Sequence, residues 1–211
     1  MDILRIPTVE YCEKVVQGLI ARPGYAISNI PFILAGSFII LKNKGSRFSF
    51  LVGILSIIIG VCSFLYDASF TFLSQYFDWL GMFLFILFLS ILNLKRLFDL
   101  DWKRLITIFS LILFLYLPVS FLTEQGTFFF GIGVVFLILS EIYLTVKNKS
   151  HLDKKWVLAL MLFLIGYISR NLDLYGVFCD PGNILNGRGI FHYLSSISIL
   201  LLHSYYKKIL H

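Results

Sequence analysis

The stretch FSFLVGILSIIIGVCSFLYD, residues 48–67, carries twenty residues with no charged side chain until Asp67 at its end. A helix rises about 1.5 Å per residue and a bilayer core needs about 20 mostly apolar residues to cross it. This one segment therefore reads as a membrane span. Six more runs of similar character surround it, at roughly 26–42, 76–94, 104–122, 127–146, 156–172 and 188–206. Lipid offers no water to satisfy backbone amides, and the runs lack the alternation of barrel strands, so each is expected to be helical.

The whole composition agrees: of 211 residues, 58% are hydrophobic and only 14% charged, which excludes an ordinary soluble domain. Seven helices with short joins predict an all-α, polytopic membrane protein, a single seven-helix bundle over residues 1–211 with residues 1–24 as an N-terminal outer segment. That segment lacks a basic region followed by an apolar core, so it does not read as a cleavable signal. It is expected to lie on the membrane surface as an amphipathic piece stopped by Pro23 and Gly24.

Thirteen of the eighteen Lys and Arg residues fall in the joins after spans 1, 3 and 5 and in the C-terminal tail. The positive-inside rule then predicts an outer or luminal N-terminus and a cytoplasmic C-terminus. The net charge of +6 is explained by topology and gives no reason to expect a nucleic-acid partner. With direction assigned, Ser63, Asp67, Asp78, Arg170, Asp173, Arg188 and His192 converge on the outer leaflet. A charge in the hydrocarbon costs at least about 2.5 kcal/mol, so such groups are expected to face the bundle interior and to pair. Ser63 with Asp67, and Arg188 with His192, are each one helical turn apart on one face. Arg170 and Asp173 read most simply as an intrahelical pair. Glu141, near the cytoplasmic end, is expected to snorkel toward Lys147. His151, His203 and His211 have no companions at ligand spacing and read as solvated or interfacial. A polar pocket open to one side suits a lipid or ligand site better than a transport path, and the absence of paired interrupted helices points the same way. No lysine lies inside the last span to carry a retinal-type Schiff base.

Three blocks carry a family resemblance. YCEKVVQGLIARPGYAISNIPFILAG (11–36) contains Cys12, Glu13, Ser28 and Asn29; GVCSFLYDASFTFLSQYFDW (60–79) contains Ser63 and, fifteen residues on, Asp78; NLDLYGVFCDPGNILNGRGIFHYLSS (171–196) contains Asp173, Cys179, Asp180, Pro181, Gly187 and His192. In this order they resemble the alkaline ceramidases, seven-helix membrane amidohydrolases related to the adiponectin receptors. The resemblance implies hydrolysis of the N-acyl amide bond of a ceramide-like lipid, Ser63 steadying the oxyanion and Asp78 moving the proton. It also implies a zinc ion held by three histidines. At those positions this chain has Asp67, Arg188 and His192, and a guanidinium has no lone pair to offer a metal.

Three readings stay open from the residues. Asp67 and Arg188 form an ion pair that fills the metal position, giving a metal-free pseudoenzyme that binds lipid. Alternatively, Arg188 reaches the headgroups while Asp67 is protonated or wet. In the third, Asp67, Asp78 and His192 hold zinc or another divalent ion in a remodelled hydrolase. Ser63 as a lone helical serine would bond back to a carbonyl, and Asp78 would cap a helix. The resemblance further implies a calcium site on acidic residues of the N-terminal segment, where Glu10 and Glu13 fit but Val15 and Arg22 depart from the pattern. Cys12 and Cys179 both fall on the outer side, and the resemblance implies their disulfide; Cys62, inside a span, is expected to be a free thiol.

Overall fold

A computed structural model describes residues 2–178 and 185–210. They form α1 (Pro23–Ser28), α2 (Ile30–Lys42), α3 (Arg47–Ser69), α4 (Phe72–Phe98), α5 (Trp102–Thr123), α6 (Gly126–Lys147), α7 (Lys154–Leu174) and α8 (Gly187–Leu210). Among the described residues, six helical segments are long and apolar enough to cross a membrane, counting Pro23–Lys42 as one. The chain is therefore an all-α, integral multi-pass membrane protein. α8 is 24 residues long, enough for a seventh crossing, but its serines, tyrosines and histidines make it more polar than the six.

The chain divides inside α4 into two compact units, 1–78 with 153–211, and 79–152. In the first, small residues let helix backbones touch. A Cβ on Gly53 of α3 would come within 2.7 Å of the Gly36 carbonyl of α2, and Ser56 donates to the Phe32 carbonyl at 2.8 Å. α7 and α8 meet likewise at Gly166 and Gly187, and Ser198 donates to the Ala159 carbonyl at 2.8 Å. Asp153 caps α7 by accepting the Lys155 amide at 2.8 Å. That bond, ahead of the Lys208 ammonium, holds its carboxyl below the usual carboxylate range.

Among the described residues of the N-terminal segment, no helix precedes α1. Its carbonyls satisfy the orphan amides at the start of α4: Arg5 accepts from Phe72 at 2.9 Å and Ile3 from Leu73 at 3.0 Å. Pro23 ends this segment by starting α1, because proline's fixed φ and missing N–H suit the first turn of a helix. The Glu13 carboxylate finishes the job by accepting the Gly24 and Tyr25 amides at 2.7 and 2.6 Å.

In the second unit, Phe83 of α4 stacks on Tyr116 of α5 at 3.7 Å between centroids. Glu141 does not snorkel. It is 2% exposed and takes a bidentate grip from Arg96 at 2.6 and 3.2 Å, with Asn93 bonding both Arg96 and Ser140. A carboxylate on α6 that meets a guanidinium from α4 finds better compensation inward than at the membrane surface.

Candidate functional site

The first unit gathers its buried charges around the last turn of α3. There Asp67, fully buried, accepts on Oδ1 from Arg22 Nη2 at 2.7 Å, and on Oδ2 from Arg188 Nη2 at 3.1 Å and Asn29 Nδ2 at 3.0 Å. Arg22 arrives from the residue before α1, Asn29 from the joint between α1 and α2, and Arg188 from the first turn of α8. Both guanidiniums are buried, at 1% and 3% exposure. Aromatic faces cover them: Arg188 lies 4.3 Å from the Tyr11 centroid and 5.0 Å from Tyr66, and Arg22 lies 4.9 Å from Tyr66 and 4.3 Å from Phe70. Phe70 ends α3 in the left-handed region, φ 49°, an unusual conformation for an aromatic residue.

A second layer fixes α8 to α1. Tyr25 donates its hydroxyl proton to Asp173 Oδ2 at 2.7 Å, and the same oxygen accepts the Arg188 amide at 3.0 Å. Asp173 therefore does not form the expected intrahelical pair with Arg170, whose guanidinium lies over Tyr11, Tyr167 and Phe191 instead. Tyr11 precedes α1 and Phe191 belongs to α8, and a reading within one helix cannot see them; Tyr167 is on α7 itself. His192 Nδ1 sits 2.7 Å from Ser28 Oγ, and Ser28 gives its proton to the Tyr25 carbonyl. With that proton committed, His192 donates from Nδ1 and keeps its lone pair on Nε2. Ser63 donates to Asp78, and both are buried; Asp78 lies within α4 and caps nothing.

The remaining sequence candidates are placed as follows. Glu10 is exposed, while Glu13 is spent on the α1 amides. Cys12 is disulfide-bonded and Cys62 is free, whereas Cys179 lies outside the described residues. His203 is not solvated: it is buried, bonds Ser49 through Nε2 at 2.9 Å and stacks on Phe48. Arg22 and Tyr25 are the members that sequence reasoning did not assemble. The signal for Arg22 was present, since a basic residue at a position expected to be acidic implies a different charge partner.

Zinc needs about four donors, with one place left open for water in a catalytic site. Asp67 has each oxygen engaged by a guanidinium, Arg188 has no lone pair, and among the described residues no group of three His, Cys, Asp or Glu side chains is placed to hold a metal. The described residues do not fit a zinc site. Nor do they fit calcium, which takes six to eight oxygens: Glu10 points to the exterior, Glu13 caps a helix, and Arg22 brings a positive charge.

An integral multi-pass membrane protein with a buried polar cluster where α3 ends and α8 begins defines the class. The sequence profile of the ceramidase family matches residues 6–209, and the chain belongs to that family. A search of curated proteins returned no match.

Proposed function

We propose that this chain is a metal-free member of the ceramidase family that binds a ceramide-like N-acyl lipid without hydrolysing it. The observation that carries this reading is the closure of Asp67 by two guanidiniums, Arg22 and Arg188, at a position where the family places a metal ligand. Amide hydrolysis by this route requires a water made nucleophilic near neutral pH by a bound metal. An arginine always protonated cannot activate water that way, and it repels a divalent ion. Ser63, Asp78 and His192 then serve as polar lining for a lipid headgroup, and Asp67 with Arg188 as the plug. The whole chain, 1–211, acts as one membrane domain. The Lys and Arg distribution supports an outer or luminal N-terminus, with the polar cluster under that leaflet.

The test uses purified full-length protein in detergent with a fluorescent N-acyl sphingoid lipid. Saturable retention of lipid with no release of fatty acid is expected. Release of fatty acid that is lost in Asp78→Ala and His192→Ala would instead establish a hydrolase that depends on those two residues and would overturn this reading.

A further inference from the structure

We infer that Arg22, and not Arg188 alone, decides that the site is closed to divalent metal ions. The inference rests on the metal-free reading above and extends it to a residue outside α3 and α8. Arg22 holds Asp67 at 2.7 Å, closer than Arg188 at 3.1 Å. Its backbone is fixed as well: its amide donates to the Asp67 carbonyl at 3.0 Å, and the preceding Ala21 amide donates to Ala68 at 2.9 Å. Two successive main-chain bonds leave the side chain little freedom to swing out.

The surroundings reinforce this. The guanidinium carbon lies 4.3, 4.9 and 5.4 Å from the centroids of Phe70, Tyr66 and Tyr25, so rings cover it from several directions. Nε and Nη1 are buried and have no hydrogen-bond partner among the described residues, which leaves the Asp67 carboxylate and the ring faces as its compensation. A cation held in this way is a fixed positive charge beside Asp67. Removing Arg188 leaves that charge in place. Installing histidines at 67 and 188 leaves it in place too, and now without its carboxylate. A divalent ion arriving at such a site meets an uncompensated guanidinium in a medium of low dielectric, where like charges repel strongly.

The experiment compares zinc loading in detergent for Asp67→His/Arg188→His, alone and with Arg22→Gln or Arg22→Lys added. The pair alone and the pair with Arg22→Lys are expected to stay zinc-poor, because both keep a positive charge at position 22. The pair with Arg22→Gln is expected to bind zinc roughly 100-fold more tightly. A purely structural role for Arg22 would not separate lysine from glutamine in this way. If the double-histidine variants do not elute as folded protein, Arg188→His is compared with Arg22→Gln/Arg188→His, in which native Asp67 and His192 supply the other two donors; zinc should bind tightly only to the second. Equal zinc loading with and without Arg22→Gln, or no loading in either, overturns the inference. Stoichiometric zinc in the unmodified chain would overturn the metal-free reading itself, and that sample is measured beside the variants.

Discussion

Asp67→Ala is expected to destabilise the protein by about 4 kcal/mol, more than any other single substitution in the cluster. The carboxylate is the common anion of two buried guanidiniums, and its loss leaves both without a charged partner. Arg22 and Arg188 are too enclosed to reach water, so neither can recover hydration by a rotamer change. Removing one arginine is a smaller loss, because Asp67 keeps the other together with the Asn29 amide at 3.0 Å. Arg188→Gln should therefore cost about half as much, and Asp67→Asn should fall between, since an amide oxygen still accepts one hydrogen bond. Thermal unfolding in a single detergent, with Asp67→Ala, Asp67→Asn and Arg188→Gln side by side, reads this order directly. An Asp67→Ala protein within about 0.5 kcal/mol of the native one would mean that the cluster is not held by charge.

Gly187→Val is expected to cost about 3 kcal/mol and to loosen Arg188 at the same time. Gly187 opens α8 where that helix crosses α7. A Cβ there would collide with the Ser169 carbonyl oxygen and come within 2.8 Å of Asp173 Cβ. A helical carbonyl cannot step aside as a flexible side chain can, so the helices must separate. Asp173 also accepts the Arg188 amide, and separation therefore breaks the link that sets the start of α8. Gly131→Ala in α6 is the control: nothing lies within 4 Å of its would-be Cβ, so it should be neutral or slightly stabilising. Unfolding temperatures of the two variants, measured together, separate close helix packing from a general effect of losing glycine.

The spans were legible because their information is local. A run such as residues 48–67 announces a membrane helix by its own length and apolarity, and α3 follows it closely, from Arg47 to Ser69. The polar residues at the ends of α3 and α8 were legible as a group for a related reason, since each is costly in hydrocarbon wherever its partner lies. The partners themselves were not. Arg22 and Asp67 are 45 residues apart, as are Arg96 and Glu141, and hydropathy assigns a cost to each residue without saying who compensates it. Arg170 and Asp173 show the opposite error, where proximity along one helix suggested a pair and contacts with other elements took precedence. Glu13 illustrates the ambiguity of a carboxylate, which suits a metal or a helix N-terminus equally well until the fold brings Gly24 and Tyr25 to it. His203 looked solitary because its partner, Ser49, is a residue type that sequence reading rarely counts.

The most direct test is the divalent-metal content of the unmodified full-length protein, purified without chelators and measured by elemental analysis beside His192→Ala. Far less than one metal ion per chain, unchanged by the substitution, is the expected result for a site closed by Arg22 and Arg188 on Asp67. About one zinc per chain, lost in His192→Ala, would contradict it and return the chain to the metal-dependent hydrolases of its family.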